Sequence, residues 1–276
     1  MAVNENGKGG GRIMNEKRRI SLLFFVLVMI FFYLPIVMLV TLSFNNSKNF
    51  IWTGFSLKWY IELFTSSPGL WQAFGRSILI GLTSSVFSVF IATFGAIGIK
   101  WYNSRMKNYV KFLNYIPLIL PDLIIGVALL IFFNMQIGMY KGVELGMTTI
   151  FIAHTAFNIP FSLFIIMARL DEFDYSIVDA ARDLGANEFQ TLLKVILPSM
   201  MPGIVSAFLM AMTLSLDDFV ITSFVTGTNS NTLPVQIYSM IKFGVSPVIN
   251  ALSTILIIGT IILSLSSRKL QKYMLN

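Results

Sequence analysis

Six long runs of apolar residues alternate with short polar segments along this 276-residue chain. They fall at about 20–42, 74–99, 111–134, 146–168, 199–226 and 247–267. Each is near or above the roughly 20 residues that an α-helix needs to cross a bilayer. No charge interrupts the first run between Arg19 and Lys48, the second between Arg76 and Lys100, or the last between Lys242 and Arg268. The third contains Asp122, the fourth His154, and the fifth Asp217 and Asp218. The pattern predicts an all-α membrane protein with six transmembrane helices over 20–268. A polar tail, 1–19, is expected to be disordered, and a second tail covers 269–276. Residues 1–13 are glycine-rich and lack an apolar h-region, so they do not read as a signal peptide. Met14 is a second candidate start. The run after Lys17-Arg18-Arg19 reads as an uncleaved anchor.

The basic residues give the helices a direction. With the N-terminus inside, the inner segments hold 15 of the 20 Lys and Arg residues, including Arg105, Lys107, Lys111, Arg169, Arg182, Lys194 and Arg268. The outer segments hold Lys48, Lys58, Arg76, Lys141 and Lys242. Lys and Arg concentrate on the cytoplasmic side of short loops, so both termini and the loop 170–198 are expected in the cytoplasm. The net charge of +7 is therefore read as orientation, and nucleic acid is not an expected partner.

Composition removes other chemistries. The chain is 55% hydrophobic and 12% charged, about half the charge of an ordinary soluble domain. It has no cysteine and one histidine, which excludes disulfides and an ordinary Cys/His zinc site. There is no G-x-x-x-x-G-K-[ST] phosphate loop, so ATP is not expected on this chain. No G-x-S-x-G or H-E-x-x-H motif occurs, and an enzyme is not expected. Pro117, Pro121, Pro160 and Pro202 should kink or interrupt helices. Backbone groups freed in this way must be buried in protein or line a wet cavity. Tyr33, Trp52, Trp59, Trp71 and Trp101 fall near predicted interfaces, where a belt of aromatic anchors is the ordinary reading.

The loop 170–198 has a pattern of its own. It carries six of the 13 acids, and Ser176 with Asp179 three residues on predicts a helix start. Ile177, Ala180, Ala181 and Leu184 then share one face. Gly185 suits a left-handed helix stop. Asn187 with Gln190 predicts a second start, and Leu197-Pro198 an end or bend. Two small alanines would let a partner surface approach the backbone closely; the alternative is an amphipathic loop lying on the membrane.

The membrane acids are the other candidate site. Ionisable groups inside a bilayer are costly and usually face the bundle interior. From a cytoplasmic start near residue 199, Asp217 and Asp218 lie about 27 Å along a helix rising 1.5 Å per residue, in the outer half. Ser206, Thr213 and Asp217 share one face. A hydroxyl stripe ending in carboxylates suits an amine-bearing cation. The alternative is that each acid bonds a neighbouring helix or loop. Asp122, after Pro121, would cap a restarted helix or face the pathway. His154 would bond a neighbouring helix or pair with a membrane acid.

Asp179-Ala180-Ala181, Gly185 and Leu197-Pro198, with Val195 between, resemble the coupling motif of permease subunits in ATP-binding-cassette (ABC) importers. That motif reads Glu-Ala-Ala, three residues, Gly, nine residues, Ile, one residue, Leu-Pro; Asp179 and Val195 are conservative departures. From about 145 to 260 the chain is similar to the second permease subunit of the spermidine/putrescine importers. Thr213-Leu-Ser-Leu-Asp217-Asp218-Phe219, Ser223-Phe-Val-Thr-Gly227, Leu233-Pro234, Ile237-Tyr238-Ser239-Met240 and Val245-Ser246-Pro247 carry that likeness. The resemblance implies a type I importer permease (MetI-like) core in a bacterial plasma membrane. It also implies a second homologous permease, a cytosolic ATPase dimer holding ATP and Mg, and an extracytoplasmic solute-binding protein. Asp179, Ala180, Ala181, Gly185, Leu197 and Pro198 would couple to the ATPase. Asp217, Asp218, Thr213 and Ser206 would line the pathway, with Asp122 and His154 secondary. Another ABC importer permease (phosphonate, iron or sulfate), a secondary transporter using the acids and His154, and a scaffold are the competing readings. An anion pathway sits poorly with Asp217 and Asp218.

Overall fold

Prolines and polar pairs decide where the apolar runs become continuous helices. The computed structural model describes residues 7–101, 107–135, 142–242, 244 and 246–274. Its elements are α1 (Gly7–Ser43), α2 (Lys58–Thr65), α3 (Pro68–Trp101), α4 (Lys107–Ile119), α5 (Asp122–Asn134), α6 (Met147–Asp171), α7 (Ser176–Asp183), α8 (Glu188–Thr191), α9 (Leu197–Asp217), α10 (Val220–Val225), α11 (Leu233–Lys242) and α12 (Pro247–Met274). A single π-helical turn, Leu192–Ile196, joins α8 to α9. The tail ends 1–6 and 275–276, Arg105, Lys141 and Val245 lie outside the described residues.

The protein is an all-α membrane protein, and its six apolar runs are helical. Among the described residues, four helical stretches cross a membrane by length and composition: Ser21–Ser43, Pro68–Trp101, Met147–Asp171 and Glu188–Asp217. The expected third span is bent by 108° between Ile119 and Asp122. Pro121 sits in the break, and a residue before proline is pushed out of the helical region, which stops α4 near Leu120. The expected span 199–226 also differs. Its helix starts earlier, at Glu188, and ends at Asp217; the chain then restarts as α10. The sixth run is an apolar helix over Pro247–Ile262, shorter than the four stretches above. Residues 7–19, expected to be disordered, continue α1 as helix. A formed helix extends without a new nucleation cost, so an apolar span carries its polar flank along.

The chain divides into two compact units, Met1–Pro68 with Met240–Asn276, and Gly69–Ser239. In the first, α12 packs against α1 and α2. Residues 21–38 of α1 are exposed apart from partial cover at Val28, a surface suited to lipid or another subunit. Trp59, expected in an aromatic belt, is instead buried, and its indole N–H donates to the Asn45 carbonyl at 2.6 Å.

In the second unit α6 pairs with α9 along most of its length. One apolar cluster joins Val89, Ala92 and Ala96 of α3, Leu163, Ile166 and Leu170 of α6, and Met200, Ala207 and Ala211 of α9. Alanines let helix backbones approach closely where water supplies no hydrophobic drive. A second cluster joins Ile80, Phe133, Ile150, Ala153, Phe157, Ile221 and Val225. The carbonyl of Pro160 in α6 accepts from the Asn114 side chain of α4 at 3.2 Å.

Gly227 follows α10 where two backbones touch. A Cβ there would lie 1.8 Å from the Leu145 carbonyl oxygen. A backbone obstacle cannot rotate away, and overpacking typically costs about 1–3 kcal/mol. Gly227→Ala is expected to lower the thermal midpoint of the purified protein clearly, followed by fluorescence-detected size-exclusion chromatography after heating. An unchanged midpoint would show that this loop yields easily.

Candidate functional site

The polar loop folds as a projecting knob with a buried root. Val178 is the buried side chain of α7, and it joins the α3–α6–α9 cluster with Ile196. Asp171 and Tyr175 fasten the base. Lys100 at the end of α3 lies 2.6 Å from Asp171, and Trp101 packs on Tyr175 with ring centroids 5.6 Å apart. Tyr175 donates its phenol proton to the Leu170 carbonyl at 3.1 Å. Trp101 therefore holds the loop to the end of α3, a role that its place in a belt of aromatics conceals. The Lys100–Asp171 pair is partly exposed, and such pairs contribute about 0–1 kcal/mol; aromatic packing and Val178 carry more of the attachment.

The start of α7 differs from the expected capping box. Tyr175 is already helical (φ −69, ψ −16), so the cap moves upstream. Asp174 accepts from the Ser176 backbone N–H at 2.9 Å. Hydrogen bonds from the Ser176 hydroxyl and then its backbone N–H hold the Asp174 carboxyl below its ordinary value. The stop at Gly185 and the second start agree with the sequence reading. Gly185 has φ +83; its N–H donates to the Arg182 carbonyl at 2.8 Å, and Ala186 N–H to the Ala181 carbonyl at 3.0 Å. These two bonds form the Schellman closure of a helix. The Asn187 side chain accepts from Gln190 N–H at 2.8 Å, and the Gln190 side chain accepts from Asn187 N–H at 3.0 Å.

The result is an apolar tip offered to water. Leu184 is 90% exposed and Phe189 68% exposed, with Ile177 and Ala180 exposed beside them. Ala181 lines a shallow cleft with Gly185, Ala186, Lys194 and Val195. Leu197-Pro198 neither ends nor sharply bends the second helix. The π turn before them widens the helix where Pro198, lacking an N–H, would otherwise crowd the carbonyl four residues back.

The acids part company at the break after α9. Ser206, Thr213 and Asp217 share one face of α9, which is largely open. Each hydroxyl proton is spent on its own helix, Ser206 on the Pro202 carbonyl and Thr213 on the Leu209 carbonyl, both at 2.8 Å. Their oxygens are left as acceptors. Asp217 is the last residue of α9, where the helix dipole adds partial negative charge. Asp218 turns inward: its side chain is 7% exposed, and it accepts from Thr222 N–H at 2.8 Å and the Thr222 hydroxyl at 2.6 Å. His154, buried in α6, lies 3.3 Å from the same carboxylate. Of the two alternatives for His154, the structure shows bonds to neighbouring helices, through Ser215 and Thr222, with the Asp218 carboxylate beside them. Asp122 is exposed in the first turn of α5. Ser215 and Thr222, which contact His154, are not singled out by the sequence reading.

Residues 84–274 match the model of the binding-protein-dependent transport system inner membrane component family. The chain belongs to that family. It is an ABC importer permease, similar over 89% of its length to the spermidine/putrescine transport system permease protein PotC of Escherichia coli (strain K12). The two are 37% identical over 246 residues, 91% of the relative. The putrescine transport system permease protein PotI of the same organism is 39% identical over 234 residues, 84% of this chain and 83% of the relative. Among solved structures, a bacterial ABC transporter involved in the import of the acidic polysaccharide alginate superposes with a TM-score of 0.69 at 16% identity. That match covers 98% of this permease and 99% of the other chain, a likeness of fold.

Proposed function

We propose that this permease forms half of the pathway of an ATP-driven importer of polyamines such as spermidine and putrescine. The observation that carries the substrate class is Asp217, a carboxylate at the negative end of α9 on a face of hydroxyl acceptors. Ammonium groups have donors and no acceptor, which is the complement of that surface. The names of PotC and PotI support the same class.

In this reading a second, homologous permease completes the pathway and a solute-binding protein delivers the cation from outside the cytoplasm. A cytosolic ATPase dimer holds ATP and Mg; this chain binds neither. Both termini and the knob lie on the cytoplasmic side of the bacterial plasma membrane, in keeping with the excess of Lys and Arg there. The exposed tip around Leu184 seats in the ATPase, with Asp179, Ala180, Ala181 and Gly185 shaping the contact. Val178 and Ile196 root the knob in the α3–α6–α9 core, so closure of the ATPase pair moves the spans as rigid bodies.

The test is ATPase activity of the reconstituted complex with its binding protein, over a panel of polyamines and anions. Stimulation by spermidine or putrescine is the expected result. Stimulation by sulfate, phosphonate or iron alone would discard the polyamine reading and the role given to Asp217.

A further inference from the structure

His154 is the single histidine of the chain, 2% exposed, and nothing in the transport reading uses it. Its ring spans the break between α9 and α10. Nδ1 lies 2.6 Å from Ser215 Oγ, in α9 before the break. Nε2 lies 2.8 Å from Thr222 Oγ1 and 3.3 Å from Asp218 Oδ2, after it. Ser84 of α3 reaches Ser215 Oγ at 3.3 Å. The imidazole of α6 thus joins α9 to α10, and Ser215 carries the line on to α3.

The protons can be followed along this line. Thr222 gives its hydroxyl proton to Asp218 Oδ2 over 2.6 Å, so toward His154 it can only accept, and Nε2 carries hydrogen. Ser84 donates to Ser215, which leaves the Ser215 proton for Nδ1. Asp218 receives Ile221 N–H at 3.2 Å and Thr222 N–H at 2.8 Å besides. A neutral imidazole with an ionised Asp218 satisfies every ring nitrogen and both carboxylate oxygens. Buried polar networks specify one arrangement when every member is satisfied.

Asp217 and Asp218 are adjacent but face opposite ways. Asp218 leaves the helix with ψ 118, and its side chain goes to the core. Anything that fixes Asp218 relative to α9 fixes the direction of Asp217. We propose that His154 is a positioning residue for transport: by bridging Ser215 to Asp218 and Thr222 it sets the angle of the break and aims Asp217 at the pathway, with Asp218 as its anchor and not a second contact to the cation. This rests on the reading of Asp217 as a substrate contact.

The experiment is a double-mutant cycle in the reconstituted complex with its binding protein, measuring spermidine uptake per assembled transporter. H154L is expected to lower uptake about tenfold, within the range of coupling between contacting residues, and H154Q, which keeps a donor and an acceptor, to recover most of it. In a D217N background H154L should cause no further loss. Multiplying losses, with D217N impaired by itself, would overturn the positioning role and leave Asp217 standing. Normal uptake by D217N would instead remove the reading of Asp217, and the proposal with it. A second measurement covers failure of H154L to assemble. The chain has no cysteine, so D217C introduces its only thiol. Its labelling rate by a charged thiol reagent, read on this subunit by mass, is expected to change severalfold when S215A cuts the arm to α9. Equal rates would overturn the proposal.

Discussion

Gly185→Val is expected to reduce polyamine uptake and substrate-stimulated ATPase activity at least about tenfold, while the subunit still inserts and folds. The position is open, with no atom within 4 Å of where a Cβ would stand, so the effect comes from the backbone alone. At φ +83 an L-residue costs roughly 1–2 kcal/mol, and a β-branched one is a genuine outlier there. That cost falls on the closure formed by Ala181, Arg182, Gly185 and Ala186, which aims Leu184 outward. About 1.4 kcal/mol already shifts the correctly capped population tenfold. Gly185→Asn is the control, because asparagine visits the left-handed region readily, and it should retain most activity. Ala181→Glu attacks the same surface by bulk and charge and should also uncouple. Uptake and assembly are compared in proteoliposomes of known complex content. A valine variant as active as the asparagine one would mean that this knob is not the coupling element.

The parts of this protein that are legible in its sequence are those decided within a few residues. The stop at Gly185 depends on one φ angle, and the start at Asn187 depends on Gln190 three positions on; both are present in the fold. The start of α7 lies elsewhere because Asp174 outcompetes Ser176 from outside the window that a capping box considers. Apolar run length finds helix in all six runs, of which four are long and apolar enough to cross a membrane, yet it does not show that Pro121 bends the third by 108°, nor that the fifth closes at Asp217 and begins at Glu188. Contacts between distant segments are the least legible. Periodicity places Ser206, Thr213 and Asp217 on one face, as the structure has them. It treats Asp218 as a companion of Asp217, because nothing local says that His154, more than sixty residues earlier, will claim it. Trp101 shows the same limit: its bilayer depth fits a belt, and only the fold brings Tyr175 beneath it.

Asp217→Asn is expected to lower spermidine uptake about tenfold or more, with assembly and knob-driven basal ATPase activity retained. The substitution preserves shape and removes one charge from a site at the open end of α9, so no buried group is orphaned and the fold has little reason to suffer. The interaction lost is that of a carboxylate with an ammonium group. Hydrogen bonds to charged groups contribute about 1.5–3 kcal/mol, or roughly ten- to a hundredfold. Asp218→Asn should behave differently. Its carboxylate accepts two backbone N–H groups and the Thr222 hydroxyl, and an amide nitrogen in place of either oxygen would face one of these donors. Leaving buried donors unmet costs about 1–3 kcal/mol each, so this variant should lose stability and assembly before any selectivity appears. Radiolabelled uptake across a spermidine concentration series, normalised to assembled complex, separates the two. Full uptake by the Asp217 variant would exclude that carboxylate from the pathway. Equal, purely functional defects in both variants would mean that Asp218 turns toward the substrate during transport and that the inward arrangement is one of two.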